Sequence, residues 1–134
     1  MFSMVVSPRF YETDAFGHIN NTVLPGWFET AREPIFRLFT NDSDLTRINL
    51  ILARIEVDFV AQTYYGKEVT LKTGIERVGN SSFVVWQAAY QEGALVARGK
   101  AVQVYFSQQT QKSEPLPDHY RIKLEALVSA PPQS

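Results

Sequence analysis

Leu24-Pro25-Gly26-Trp27-Phe28-Glu29-Thr30-Ala31-Arg32-Glu33-Pro34-Ile35-Phe36-Arg37-Leu38-Phe39 is the stretch on which the fold turns. Leu24, Trp27, Phe28, Ala31, Ile35, Leu38 and Phe39 recur every third or fourth residue, the repeat of one helix face. Glu29, Arg32, Glu33 and Arg37 fall largely on the other side, as a solvated face or an ion pair. The pattern predicts one amphipathic helix of about four turns. Asn20 or Asn21 suits the N-cap, and Pro25 fits the first turn. Pro34 removes a helix hydrogen bond and should bend the helix near Thr30 or Ala31.

Outward from this helix the chain reads as strands. Residues 4–13 carry β-formers (Val5, Val6, Phe10, Tyr11) around Pro8, which belongs at an edge or a strand start because it cannot donate a ladder bond. After a polar loop, Asn41-Asp42-Ser43-Asp44, residues 50–60 are rich in Ile, Leu and Val and read as a strand buried on both faces. In 67–77 the alternation is clean, with Val69, Leu71, Thr73 and Ile75 on one face and Glu68, Thr70, Lys72 and Glu76 on the other. Gly79-Asn80 marks a turn into a strand at 82–91, and Glu92-Gly93 a tight hairpin into a strand at 95–106. A short helix is expected from Asp118 to Val128, and Pro131-Pro132-Gln133-Ser134 should fray. The helix stripe must be buried, and the only large partner is the sheet. The expected class is α+β, with the helix lying across a curved antiparallel sheet.

The bulk numbers narrow the function. A length of 134 residues suits one domain, 1–134, with a core at about 4–107 and a tail at 108–134. With no cysteine there is no disulfide framework, thiolate nucleophile or cysteine-ligated zinc. Thirteen basic against fourteen acidic residues, a net charge of −1, give no basic cluster for nucleic acid. No apolar run is long enough to span a bilayer, and the N-terminus lacks a signal-peptide pattern, so a cytoplasmic location is expected.

The densest polar cluster is Glu12, Asp14, His18, Asn20 and Asn21, between the first strand and the helix. A helix N-terminus offers free N–H groups and a positive dipole end to a carbonyl oxygen gaining charge. A carboxylate just upstream can attack that carbonyl or activate a water. Asp14 reads equally as a turn-former or cap, His18 as a hydrogen-bonding loop residue, and Asn20-Asn21 as turn plus cap. There is no His-x-x-x-His spacing, phosphate-type glycine loop or Gly-x-Ser-x-Gly elbow, so zinc hydrolases, nucleotide enzymes and α/β-hydrolases fall away.

Arg9-Phe10-Tyr11-Glu12-Thr13-Asp14-Ala15-Phe16-Gly17-His18-Ile19-Asn20-Asn21, followed by Gly26-Trp27-Phe28-Glu29-Thr30-Ala31-Arg32, resembles the 4-hydroxybenzoyl-CoA thioesterase-like family, in the branch with the pattern Asp-x-x-Gly-His-(Val/Ile)-Asn-Asn. Ile55-Glu56-Val57-Asp58-Phe59 and Val78-Gly79-Asn80-Ser81-Ser82-Phe83 extend the likeness over roughly residues 5–107. The resemblance implies a hotdog fold, a five-stranded antiparallel sheet wrapped around one long helix, in a homodimer or homotetramer with sheets joined edge to edge. It implies an acyl-CoA substrate and no metal or cofactor. Onto Asp14 it carries the catalytic carboxylate, and onto Gly17 and His18 the loop that meets the thioester carbonyl. Onto Gly79, Ser81 and Ser82 it carries contacts to the pantetheine arm, from the neighbouring subunit. Phe16 stands where acyl-carrier-protein thioesterases tend to have Asn, and Leu24-Pro25 where many relatives have Tyr-Leu; both speak against the plant-type acyl-carrier-protein enzymes.

Two other readings stay open: a hotdog module that binds acyl-CoA without hydrolysing it, and a hotdog hydratase acting on an enoyl thioester. The acyl group is not legible. Phe16, Leu24, Trp27, Phe28 and Phe59 suit an apolar pocket or a core.

Overall fold

The computed structural model describes residues 1–40 and 48–132, so the polar loop at 41–44 and the last two residues lie outside the described part. Five strands run in the order β1-β3-β4-β5-β2: β1 (Phe2–Val6), β2 (Leu50–Phe59), β3 (Val69–Val78), β4 (Ser82–Gln91) and β5 (Ala94–Ser107). A two-residue β6 (Lys112–Ser113) pairs with the end of β5. All pairings within the sheet are antiparallel. The sheet curls around the helical segment in the α+β hotdog arrangement.

The alternation read in 67–77 holds: Val69, Leu71, Thr73 and Ile75 are all at most 1% exposed. Glu92-Gly93 makes the expected hairpin, both residues having positive φ (52° and 79°), as a type I′ turn demands. Gly79 closes the β3–β4 turn by donating its N–H to the Ser82 carbonyl at 2.7 Å.

The first strand is shorter than 4–13. It ends at Val6, and residues 10–12 form a 3-10 turn instead. Pro8 cannot extend the ladder, and the Glu12 carboxylate draws the chain into that turn by accepting the Arg9 N–H at 2.6 Å.

The helix is broken by Pro34, slightly later than expected. α1 (Val23–Ala31) gives way at Arg32 to α2 (Glu33–Phe36) and a 3-10 turn over residues 37–39. Without a Pro34 N–H the α-helical bond to Thr30 is lost, and the chain re-forms on the Arg32 carbonyl, which accepts from Ile35 at 2.9 Å and Phe36 at 3.2 Å.

Two apolar clusters fill the space between helix and sheet. At the α1 end Ile19, Leu24, Trp27, Phe28 and Ala31 meet Val69, Leu71, Ala89 and Ala97. At the α2 end Ile35 and Phe39 meet Ile75, Phe83, Val85 and Ala101, closed by Leu116 and by Leu124 of α3 (Asp118–Glu125). Of the five residues suited to pocket or core, Leu24, Trp27 and Phe28 are core, whereas Phe59 is 49% and Phe16 92% exposed.

The reading of 50–60 as buried on both faces is overturned. β2 is an edge strand, paired only with β5, and Ile51, Leu52, Ile55 and Phe59 are between 39% and 49% exposed. Its composition is that of a covered strand, but among the described residues no strand pairs with its outer edge.

One close approach fixes the outer face. A Cβ on Gly74 would lie 2.5 Å from the Trp86 indole, which donates its Nε1–H to the Ser129 carbonyl at 3.0 Å and anchors the C-terminal segment. Gly74→Ala is therefore expected to displace the indole and to lower stability by about 1–3 kcal/mol, the usual range for overpacking. Urea unfolding checks it; an unchanged midpoint would mean the indole has room to move.

Candidate active site

Asp14 precedes a short 3-10 turn, Ala15–Gly17, and its side chain makes no capping bond to it. The plain reading of Asp14 as a cap is thus unused, and the residue is exposed. The backbone around it is held on both sides. Asp14 donates its N–H to the His18 carbonyl at 2.8 Å, and Asn20 donates to the Glu12 carbonyl at 2.9 Å.

The loop between them is tight. Phe16 and Gly17 both have positive φ, 69° and 73°. That conformation is ordinary for Gly but costly for a bulky aromatic, and it persists only where the surroundings impose it. The surroundings here are residues 63–65. Ile19 donates to the Thr63 carbonyl at 2.7 Å, and Tyr65 to the Gly17 carbonyl at 3.0 Å. The buried Gln91 side chain in turn grips this segment, accepting from the Tyr64 N–H at 2.9 Å and donating to the Tyr64 carbonyl at 2.8 Å. Gln91 also donates to the Lys67 carbonyl at 3.1 Å. The Asp14 loop is thereby tied to the end of β4.

His18 is half-buried, its ring edge-on to Tyr64 with centroids 5.0 Å apart. The ring packs, while the His18 carbonyl holds Asp14. His18→Asn is accordingly expected to keep turnover within about tenfold of wild type, against the hundredfold or more typical of a lost acid–base group. Steady-state kinetics decides; a loss as large as that of an Asp14 variant would give the ring a chemical role.

Glu12 is an anchor, 7% exposed, its carboxylate accepting the Trp27 indole N–H at 3.0 Å as well as the Arg9 N–H. This bond ties the loop to α1. Neither Asn20 nor Asn21 is the N-cap of α1: that position is Thr22, which makes no side-chain capping bond. Asn20 instead closes the turn just before the helix, its side-chain oxygen accepting from the Thr22 N–H at 2.9 Å and its carbonyl from Val23 at 3.0 Å.

Gly79, Ser81 and Ser82 lie at the far end of the sheet. The Asp14 loop joins the Gln91 end of β4, whereas Ser82 opens that strand, so the two are about 30 Å apart along it. One chain does not bring them together. The turn is itself tied down, the Ser81 carbonyl accepting from Tyr105 at 2.8 Å.

Two contributors escaped the sequence reading. Thr63-Tyr64-Tyr65 gave no periodic signal. Arg32, placed above on a solvated face or in an ion pair, is 4% exposed and donates from Nη1 to Gln87 Oε1 at 3.1 Å. Its spacing of four from Phe28 and eight from Leu24 puts it on the buried stripe, and that spacing was the available signal. Among the described residues no group of three or more His, Cys, Asp or Glu gathers as for a metal ion, and no helix is long and apolar enough to cross a membrane.

Solved structures share this architecture. A predicted thioesterase from Bacillus stearothermophilus superposes with a TM-score of 0.92 at 46% identity, covering 98% of each chain. A thioesterase from Thermus thermophilus, complexed with coenzyme A and Zn, gives 0.83 at 28% identity over 96% of this chain and 95% of its own. The uncharacterized protein YsmA of Bacillus subtilis is 29% identical over 109 residues, 81% of this chain and 74% of that protein. Residues 8–124, from the Pro8 end of the Asp14 motif to Leu124 in the second core, match the family model as a whole, and the chain belongs to the thioesterase-like superfamily.

Proposed function

We propose that the protein is an acyl-CoA thioesterase, hydrolysing the thioester to free acid and CoA, with Asp14 as the catalytic carboxylate. The observation that carries this reading is Asp14 itself: exposed, in a loop held from both sides, and not spent on capping. In that position it attacks the thioester carbonyl or deprotonates the attacking water. The backbone at Gly17 and His18 and the positive end of α1 stabilise the oxygen on which charge develops. The coenzyme A bound by the Thermus thermophilus thioesterase supports CoA as the carrier.

The working unit is a homodimer or a tetramer of such dimers, each chain a single hotdog domain acting in the cytoplasm. The long exposed apolar edge of β2 favours this, since an uncovered edge strand of that kind pairs readily with another chain. Gly79, Ser81 and Ser82 then reach the pantetheine arm from the partner subunit.

A panel of acyl-CoAs with a free-thiol reagent tests the activity. Thiol release is the expected result. Binding without release would make the chain an acyl-CoA-holding module, and hydration of an enoyl-CoA without release would make it a hydratase.

A further inference from the structure

Phe16 carries two costs that the described residues of its own chain do not offset. Its backbone is left-handed at φ 69°, where glycine or asparagine sits far more easily than phenylalanine. Its ring is almost fully exposed, tilted against His18 with centroids 6.5 Å apart. The bonds that shape the loop, Asp14 to His18 and Tyr65 to Gly17, run between backbone groups and make no use of that ring. An exposed aromatic in a strained position is a knob in want of a socket.

A socket lies at the other end of β2. Between the helix and that strand is a chamber of about 290 Å³, lined by the apolar Phe36, Ile48, Leu50 and Leu52 and the polar Arg32, Glu29 and Gln103. A cavity of about 150 Å³ already takes benzene, so the chamber has room for a phenyl ring. It also holds a cation short of partners. Arg32 is 4% exposed and donates from Nη1 to Gln87, but its buried Nε has no acceptor among the described residues. A guanidinium buried in that condition is costly, and an aromatic face laid on it offsets part of the cost.

Within one chain knob and socket are apart. The loop of Phe16 is tied through Gly17 to Tyr65, beyond Phe59 at the end of β2, whereas Leu50 and Leu52 open that strand, about 25–30 Å away along it. Two-fold pairing along the free outer edge of β2 closes this gap. With the axis between Arg54 and Ile55, the middle of the strand, Phe59 of one chain lies opposite the partner's Leu50, and the loop beyond Phe59 reaches the partner's chamber. On the basis of the β2-paired dimer proposed above, we propose that Phe16 of each chain seats in the partner's chamber, its ring against the guanidinium of the partner's Arg32. The two-fold axis makes two such contacts, and each Asp14 loop is held in place by the other chain.

Cross-linking tests the seating directly, because the chain has no cysteine of its own. Protein carrying both Phe16→Cys and Leu50→Cys, treated with a short bis-maleimide, should run as a covalent dimer on a denaturing gel, and neither single variant should. The two positions are too far apart for a link within one chain, and the axis keeps the two copies of each position apart. No covalent dimer from the double variant, or an equal yield from a single one, overturns the inference. Phe16→Asn keeps the left-handed backbone without the ring. It should raise the dimer dissociation constant about tenfold to a hundredfold in sedimentation, the range for truncating a buried aromatic anchor. An unchanged constant means the ring is not seated. Arg32→Lys, which loses the planar stacking face, should weaken the wild-type dimer severalfold and the Phe16→Asn dimer much less; equal weakening of both means that ring and guanidinium do not touch. A wild type that sediments as a monomer overturns the dimer and the seating with it, whereas a dimer without the cross-link overturns only the seating. No readout uses turnover, so the thioesterase reading stands or falls separately.

Discussion

Asp14→Asn is expected to lower kcat by at least about a hundredfold, the scale of losing a positioned acid–base group. Asparagine has nearly the same shape and tolerates the same turn backbone, but it cannot carry the charge that attacks a carbonyl or takes a proton from water. The folded structure should barely notice. The Asp14 side chain caps nothing, and what holds the loop is backbone: Asp14 to His18, Ile19 to Thr63, Tyr65 to Gly17. Unfolding midpoints for variant and wild type should therefore coincide while turnover collapses. Retention of most of the turnover would remove Asp14 from the chemistry, and a fall in stability would return it to a structural role.

The second large effect is expected from mixing two inactive proteins. The Gly79–Ser82 turn sits at one end of the sheet, near Tyr105 and the start of β2, and the Asp14 loop at the other, beyond the end of β2. If two copies join antiparallel along their β2 edges, the end of one β2 meets the start of the other. Each Asp14 then faces the partner's half of the sheet that carries its Gly79 turn, and the two-fold axis makes two equivalent composite sites. Asp14→Asn protein mixed with a Gly79→Leu, Ser82→Leu protein should regain about a quarter of wild-type activity, because random exchange makes half the dimers mixed and each mixed dimer has one intact site of two. Exchange is verified independently by mass spectrometry of tagged chains. Verified exchange without recovery means each site belongs to one chain. High activity of the Gly79→Leu, Ser82→Leu protein alone removes that turn from the site.

Local physics made much of this legible in the residues. The helical stripe from Leu24 to Phe39, the alternation at Val69, Leu71, Thr73 and Ile75, and the turn at Glu92-Gly93 each follow from spacing or φ preference within a few residues. So does the grouping of Asp14, Gly17 and His18 before a helix, which the Asp-x-x-Gly-His-Ile-Asn-Asn pattern had already marked. Pro34 announced a break, and only its place shifted, since the neighbouring carbonyls decide where the helix re-forms.

What periodicity reports is which residues share a face; what covers that face depends on residues far along the chain. β2 has the composition of a buried strand, yet the order β1-β3-β4-β5-β2 leaves it at the edge, because strand order is set by non-local pairing. Arg32 carries the side chain of a surface residue, yet the packing of α1 on the sheet encloses it beside Gln87, fifty-five positions away. The grip of Thr63–Tyr65 on the Asp14 loop, and of Gln91 on Tyr64, joins segments with no shared local pattern. From the residues alone came the elements and the carboxylate at the head of the helix. The exposed edge, the buried cation and the distance between Asp14 and the Gly79 turn came from tertiary structure, because each is a relation between elements that local forces leave open.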